Sequence, residues 1–176
     1  MKCGSGLRVV IVNGRPGCGK TTFEDMCMDM LGLLYCKSRS SIDKIKEIAR
    51  EGGWDGEKDA SGRKLLSDLK RIFSEYNDLP TQDIIQFLKG WESELAIYNV
   101  GSINHVLFVD VREPENIEKL KKKLKAVTVL IRRPGDDDID TSNDSDLSVF
   151  NYHYDCVVYN NDDLEHLRFA AQAFLN

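Results

Sequence analysis

The sequence predicts a parallel α/β protein, in which a central sheet of buried strands is covered by helices on both faces. Short runs of apolar residues alternate along the chain with longer segments whose apolar residues recur at helical spacing. The run Leu7 to Asn13 is apolar almost throughout, which is typical of a strand buried on both faces. A glycine-rich segment, Gly14 to Thr21, joins this strand to the first helix. Strands that alternate with helices in this way build a parallel sheet.

Length and composition favour one globular domain over residues 1–176. Of the 176 residues, 41% are hydrophobic and 30% are charged, an ordinary balance for a chain with a substantial core. The formal net charge of −5 argues against a protein that coats nucleic acid or an anionic membrane. No apolar run approaches the roughly 20 residues of a membrane span, and the N-terminus lacks the apolar region of a signal peptide. We therefore expect a cytoplasmic protein with no nucleic-acid and no membrane partner.

Cysteine usage is consistent with that compartment. The chain has five cysteines, an odd number with no C-x-x-C pair, which argues against a disulfide framework and a zinc cage. Free thiols are the expected state in a reducing cytoplasm. The three histidines are scattered along the chain, so we expect them in the core or at the surface rather than at a metal.

The first elements follow from apolar spacing and from glycine. Apolar residues from Phe23 to Leu34 recur at helical spacing and predict the first helix. A short strand is expected around Leu34 to Lys37. A second helix has its apolar residues between Ile42 and Ala49, and Gly52-Gly53 ends it. A polar loop from Trp54 to Gly62 separates it from the next helix.

The remaining elements continue the alternation. Two helices follow the polar loop, one with an apolar stripe from Leu65 to Tyr76 and one that begins at Pro80. A later segment rich in Asp, Ser and Asn is expected to be a mobile surface loop. The order after residue 100 is strand His105 to Val109 ended by Asp110, helix Glu115 to Leu124, strand Val127 to Ile131, the polar loop Gly135 to Ser148, strand Cys156 to Tyr159 and a closing helix from Leu164 to Phe174.

The segment Gly14 to Thr21, hereafter the glycine loop, matches the phosphate-binding pattern G-x-x-x-x-G-K-[ST] in its required position between strand and helix. Glycines let several backbone N–H groups converge on phosphate oxygens, and the following helix adds its positive dipole end. Lys20 is expected to reach the β- and γ-phosphates of ATP, and the Thr21 hydroxyl to bind Mg²⁺. The predicted nucleotide-binding residues are Gly14, Arg15, Pro16, Gly17, Cys18, Gly19, Lys20, Thr21 and Thr22.

The glycine loop predicts nucleotide binding but leaves the reaction open. Regulatory GTPases read guanine with N-K-x-D, and no such run occurs in this sequence. Large motor ATPases need a longer chain than this one. A small kinase is the interpretation that is left, with the phosphoryl acceptor held by residues elsewhere in the chain.

Candidate residues for the chemistry follow the predicted strands. Asp110 ends a buried strand beside the glycine loop and is placed to bind Mg²⁺ or its water shell. Arg112 follows at the edge where ligands collect, and Arg132 and Arg133 end another strand at that edge. The alternatives are a capping aspartate, surface arginines, and an arginine that covers the sheet edge with its aliphatic stem. Arg63, in the helix after the polar loop, is a candidate acceptor contact, although surface charge explains it equally well.

Three segments resemble the P-loop nucleoside monophosphate kinases, and among them the phage-type deoxynucleoside monophosphate kinases. The first is the glycine loop. The second, Asp110 to Asn116, is similar to the D-x-R-x-P-x-E/N segment of that family. The third, Asp155 to Leu164, is similar to its closing strand and helix start.

The resemblance implies a three-layer P-loop fold with a five-stranded parallel sheet in the order 2-3-1-4-5. It also implies a helical acceptor-binding region, here about residues 38–100, and a lid over the phosphates, here about residues 134–148. Arg112 would contact the acceptor together with Asp110, and Arg132 or Arg133 would clamp phosphate from the lid side. The family lid often carries H-x-S-E, whereas Asp140 to Asn143 keeps only the serine and the lid is more acidic.

The leading hypothesis is phosphoryl transfer from ATP to a nucleoside or deoxynucleoside monophosphate. Lys20, Arg112, Arg132 and Arg133 would carry the catalysis, with Mg²⁺ on Thr21 and Asp110. One alternative is a kinase for another small molecule, such as dephospho-coenzyme A or a sugar acid. Another is a non-catalytic ATP-binding protein, which the acidic lid favours. The sequence leaves a monomer and a homodimer equally open.

Overall fold

A computed structural model describes residues 6–97, 105–135, 148–161 and 163–176. Within these ranges the chain forms five strands and six α-helices. The elements, in chain order, are β1 (Leu7–Asn13), α1 (Lys20–Leu31), β2 (Cys36–Ser40), α2 (Asp43–Glu51), α3 (Ala60–Asn77), α4 (Leu79–Ile97), β3 (His105–Asp110), α5 (Pro114–Leu124), β4 (Val127–Arg132), a 3-10 turn (Ser148–Asn151), β5 (Cys156–Tyr159) and α6 (Leu164–Leu175).

The five described strands form one sheet in the order β2-β3-β1-β4-β5. β1 pairs in parallel with β3 and with β4, and β4 pairs in parallel with β5. The predicted parallel α/β class and the strand order 2-3-1-4-5 are therefore confirmed. β1 lies at the centre, which explains why its sequence is almost continuously apolar: Val10 and Ile11 are both fully buried.

Two boundaries in the first part of the chain differ from the prediction. α1 ends at Leu31 because Gly32 adopts a φ of 89°, a conformation that glycine accepts readily. Leu33 and Leu34 lie beyond this end and are 76% and 73% exposed. The apolar pattern had extended the helix to Leu34 and had placed β2 too early.

Residues 1–38 and 100–176 form one compact unit, which contains the sheet except for the last two residues of β2. On one face of the sheet, Val10 and Val12 pack in a cluster with Phe23 of α1 and Leu167 of α6. The alternate strand residues point to the opposite face, where α5 packs against β1 and β4. Helices therefore cover both faces of the sheet.

Residues 39–99 form a second compact unit, built from α2, α3 and α4. Its core contains Ile45, Ala49 and Leu66. Arg39 ties the unit together, because its guanidinium group makes a two-pronged ion pair with the carboxylate of Asp83 at 2.7 and 2.8 Å. This geometry is the strong form of an arginine–carboxylate contact.

Four cysteines lie in the described residues, and all four are free thiols. His105 is buried in the sheet unit with 2% of its surface exposed. None of the described helices combines the length and the apolar character that a membrane span requires.

Candidate active site

Four strand ends meet at the carboxyl edge of the sheet. In the parallel registers Val12 of β1 lies beside Asp110 of β3, and Arg132 of β4 lies beside Tyr159 of β5. The glycine loop leaves the end of β1 at this same edge. Ligands of open α/β sheets bind at the carboxyl ends of the strands. The structure thus brings most of the predicted site residues to one edge.

The glycine loop makes a tight turn that needs glycine at defined positions. Gly19 has a φ of 101° and directly precedes α1. A Cβ atom on Gly19 would lie 2.6 Å from Asn160 Nδ2, and one on Gly14 would lie 2.4 Å from the carbonyl oxygen of Ile131. The first N–H groups of α1 have no intrahelical acceptor, and with the helix dipole they favour an anion. The glycine loop therefore leads directly into the N-terminus of α1, and its role in phosphate binding stays a prediction.

Lys20, the first residue of α1, folds its side chain back over the glycine loop. Its Nζ donates hydrogen bonds to the carbonyl oxygens of Gly14 and Arg15, the latter at 2.9 Å, and lies 3.8 Å from Cys18 Sγ. Charged phosphate oxygens bind an ammonium group more strongly than neutral carbonyl oxygens do. The ammonium group is thus held where a bound polyphosphate would replace the carbonyl groups as its partner.

Asn160, directly after β5, supports the glycine loop. Its Nδ2 donates to the carbonyl oxygen of Cys18 at 2.9 Å, and its backbone N–H donates to the carbonyl oxygen of Arg132 at 2.8 Å. The same Nδ2 fills the space that a side chain on Gly19 would need. The sequence shows an asparagine at the strand end, but the contact with the loop depends on β5 lying two strands from β1.

Asn13, the last residue of β1, connects three parts of the edge. Its Oδ1 accepts from the N–H of Gly14 at 2.8 Å. Its Nδ2 donates to the hydroxyl of Tyr154 at 2.7 Å and to the carbonyl oxygen of Arg112 at 3.2 Å. Burial raises the pKa of Tyr154 to about 12, so its hydroxyl keeps its proton. The start of the glycine loop is therefore fixed by buried hydrogen bonds.

Glu24 of α1 is a buried acid at this edge that the sequence did not single out. Only 3% of its surface is exposed. Its Oε2 accepts from the Ser38 hydroxyl at 2.9 Å, whereas its Oε1 has no hydrogen-bond partner among the described residues. Burial and the nearby Asp110 raise the pKa of Glu24 to about 8, against the opposing effects of Ser38 and Lys20. Burying a carboxyl group that has an oxygen without a hydrogen-bond partner costs folding free energy.

The residues at this edge fit a magnesium ion. Thr21 in the first turn of α1 would supply a hydroxyl, and Asp110 a carboxylate, the ligand types that Mg²⁺ prefers. A bound cation would also compensate the unsatisfied Glu24 Oε1 and the repulsion between Glu24 and Asp110. Across residues 6–97, 105–135, 148–161 and 163–176, no group of three or more His, Cys, Asp or Glu is arranged to hold a metal. Water and substrate oxygens would supply the remaining ligands.

The predicted arginines occupy different places. The Cζ atoms of Arg15 and Arg132 lie 5.0 and 5.1 Å from the ring centroid of Phe150. Arg112 follows β3 and is partly exposed, and Arg133 follows β4 and is exposed. The structure therefore groups Arg15 with Arg132 around one aromatic ring.

Two further predicted parts of the site remain untested. Arg63 lies in the first turn of α3, within the unit formed by residues 39–99, and its Nε donates to the carbonyl oxygen of Lys58 at 2.8 Å. Most of the expected lid, residues 136–147 with its aspartates, lies outside the described residues. The roles of Arg63 and of the lid stay predictions.

The strand order and the glycine loop at the end of β1 give the chain the fold of the P-loop kinases. Among solved structures, it is similar to shikimate kinase from Aquifex aeolicus, with a TM-score of 0.50, 14% identity and 95% of each chain covered. A thymidylate kinase from Ehrlichia chaffeensis gives a TM-score of 0.47 at 14% identity, over 97% of this chain and 100% of that one. At 14% identity, the likeness to the shikimate kinase shows the fold alone.

Other comparisons add no closer family. No protein-family model matches the chain. No curated protein matches it either. The coarse resemblance to the P-loop kinases is therefore confirmed as a fold. The finer resemblance to phage-type deoxynucleoside monophosphate kinases has no support from these comparisons and stays a prediction.

Proposed function

We propose that the protein transfers the terminal phosphoryl group of ATP to a small-molecule acceptor. The observation that carries the proposal is Lys20 Nζ held over the glycine loop by the carbonyl oxygens of Gly14 and Arg15, at the N-terminus of α1. The P-loop kinase fold supports the same reaction class. Backbone N–H groups and one ammonium group would hold the β- and γ-phosphates.

The residues act mainly by positioning and by neutralising charge. The acceptor oxygen forms a bond to the γ-phosphorus while the bond from that phosphorus to the bridging oxygen breaks, and ADP leaves. Lys20, Arg112, Arg132 and Arg133 would spread the negative charge that develops on the transferred group. Bound Mg²⁺ would neutralise phosphate charge, with Thr21 and Asp110 as its protein ligands.

A nucleoside or deoxynucleoside monophosphate is the acceptor class that we propose first. Arg112 at the end of β3 is suited to bind the acceptor phosphate through its planar guanidinium group, and Arg63 is a second candidate. A coupled assay for ADP formation across ribo- and deoxyribonucleoside monophosphates tests the proposal. At least one should give turnover that Arg112→Ala reduces by about 100-fold or more. ATP binding without phosphorylation of any monophosphate would contradict this acceptor class.

A second acceptor class, a hydroxyl-bearing small molecule such as a sugar acid or dephospho-coenzyme A, is favoured by one observation. Glu24 and Asp110 place two carboxyl groups near Lys20, and carboxyl oxygens can accept hydrogen bonds from the hydroxyl groups of such a molecule. A thermal-shift screen with ATP present separates the two classes, because a true acceptor raises the melting temperature by mass action. Stabilisation by polyols or hydroxy acids, lost in Glu24→Leu, would favour the second class.

A further inference from the structure

The 3-10 turn Ser148–Asn151 is anchored to the glycine loop by buried hydrogen bonds. Val149 is fully buried, and its carbonyl oxygen accepts from the Tyr154 hydroxyl at 2.8 Å. The Tyr154 oxygen accepts from Asn13 Nδ2 at 2.7 Å, and Asn13 accepts from the N–H of Gly14. The turn and the first residue of the glycine loop are therefore linked through side chains that are themselves buried.

A second contact fixes the same turn from the side of α5. The Tyr152 hydroxyl donates to Glu118 Oε2 at 2.9 Å. The ring of Tyr152 also meets the ring of Tyr154 edge-on, with 5.0 Å between the centroids. These contacts, which do not involve an arginine side chain, help to set the position of the turn.

Phe150 projects from this anchored turn and contacts two arginines at once. The Cζ atoms of Arg15 and Arg132 lie 5.0 and 5.1 Å from its ring centroid, within the range of a cation–π contact. Arg15 belongs to the glycine loop and is 6% exposed, and Arg132 ends β4. The negative face of an aromatic ring attracts guanidinium groups, so Phe150 draws both arginines towards one place. Guanidinium groups form strong charge-assisted hydrogen bonds with phosphate oxygens.

We infer that Phe150 is a positioning residue of the polyphosphate site. It holds the guanidinium groups of Arg15 and Arg132 at the carboxyl edge of the sheet, so that both are ready to bind the phosphates of ATP. Phe150 would act through these two arginines. The inference rests on the proposed function, because it takes ATP as the anion.

The experiment compares the affinities of Phe150→Leu and Phe150→Trp for ATP with Mg²⁺, measured by calorimetry. Leucine keeps an apolar side chain but removes the aromatic face, so ATP should bind about 10-fold more weakly. Tryptophan keeps the face and should bind within about 3-fold of the wild type. AMP, which lacks the β- and γ-phosphates, should lose much less affinity than ATP in Phe150→Leu. Phe169→Leu, at a residue of α6 that is 61% exposed, is the matched control and should leave ATP binding unchanged.

A second readout separates positioning from general support of the fold. In wild-type protein the side-chain N–H resonances of Arg15 and Arg132 should be shifted by the ring current of Phe150, and Phe150→Leu should remove the shift without ATP. Equal ATP affinity in Phe150→Leu and wild type would overturn the inference and leave the proposed function intact. Equal losses for ATP and AMP, or no rescue by tryptophan, would also overturn it. A wild-type protein that does not bind ATP contradicts the proposed function itself.

Discussion

At the scale of single residues, the acid buried in α1 is the most unusual group. Glu24 shares the carboxyl edge with Asp110 and Lys20, and its Oε1 has no hydrogen-bond partner among the described residues. A carboxyl group in this position destabilises the protein when it is ionised, unless a cation or a ligand compensates. The stability of the protein without Mg²⁺ should therefore depend on pH through this residue.

The sign of that dependence follows from the direction of the pKa shift. The pKa of Glu24 rises from 4.5 to about 8 on folding, so the folded chain keeps a proton that the unfolded chain releases. The stability that this retained proton contributes is fully present below pH 4.5 and is lost as the pH rises to about 8. The free energy of unfolding of the wild type should therefore fall as the pH rises. Because glutamine cannot ionise, we expect this fall to be roughly 3 to 5 kcal/mol smaller in Glu24→Gln.

Urea denaturation at a series of pH values, without Mg²⁺, measures this effect. Glu51→Gln changes an exposed glutamate at the end of α2 and serves as the control, which should follow the wild-type pH profile. If Glu24→Gln declines with pH as steeply as the wild type, the account of Glu24 is wrong.

The site residues that could be predicted from the sequence are those that belong to one contiguous motif. Gly14 to Thr21 forms a contiguous motif, so its place between strand and helix was predictable. Asn160 and Phe150 contact that motif only because β5 and the turn before it fold back to the same edge. No spacing in the sequence encodes such a long-range contact. Glu24 likewise accepts a hydrogen bond from Ser38, which lies in the next strand, β2.

At the scale of elements, the connection from β1 to α1 depends on two facing positions, Gly19 and Asn160. A side chain on Gly19 would adopt an unfavourable φ of 101° and would meet Asn160 Nδ2 at 2.6 Å. We expect Gly19→Ala to cost about 1 to 3 kcal/mol through backbone strain, with a further cost from the collision, and to weaken ATP binding. In an Asn160→Ala background the collision is gone, so the same substitution should cost less.

A double-mutant cycle of thermal or urea unfolding tests this coupling. Gly90→Ala is the control, because a Cβ on this glycine of α4 meets no atom within 4 Å. It should leave stability unchanged or raise it by up to about 1 kcal/mol. Strictly additive effects of Gly19→Ala and Asn160→Ala would show that the two residues do not constrain each other as described.

Element boundaries show where apolar periodicity is reliable and where it is not. β1 and β5 match the predicted bounds because apolar and β-branched runs with polar neighbours define them. The end of α1 was missed because Leu33 and Leu34 continue the apolar pattern past Gly32, although both are exposed. A glycine with a positive φ ends that helix whatever the pattern beyond it. Apolar spacing indicates which residues can be buried, whereas the path of the backbone determines which of them are buried.

At the scale of the whole molecule, the sheet unit is held together on one face by aromatic rings. Phe23 of α1 is fully buried and packs edge-on against Phe108 of β3, with ring centroids 6.2 Å apart, and against Phe174 of α6 at 5.6 Å. Phe23→Ala should destabilise the protein by about 3 to 5 kcal/mol, through lost transfer free energy and the cavity it leaves. The measurement is the free energy of unfolding in urea.

Phe169→Ala provides the comparison for this core prediction. Phe169 lies on the same helix as Phe174 but is 61% exposed, so its removal should cost less than about 1 kcal/mol. Equal losses of unfolding free energy in Phe23→Ala and Phe169→Ala would mean that Phe23 does not occupy the core.

The strand order of the sheet unit was predictable because the P-loop resemblance implies it. The acceptor could not be predicted, since no contiguous motif marks it.

The central claim is that the glycine loop and Lys20 bind the phosphates of ATP, and titration of ATP with Mg²⁺ into the protein by calorimetry tests it most directly. We expect the wild type to bind one ATP per chain, and Lys20→Ala to lose at least about 100-fold in affinity because one charged contact to the phosphates is removed. Lys64→Ala, at an exposed lysine of α3 paired with Asp68, should bind as the wild type does. Wild-type protein that takes up no ATP, or Lys20→Ala that binds it unchanged, would contradict the claim.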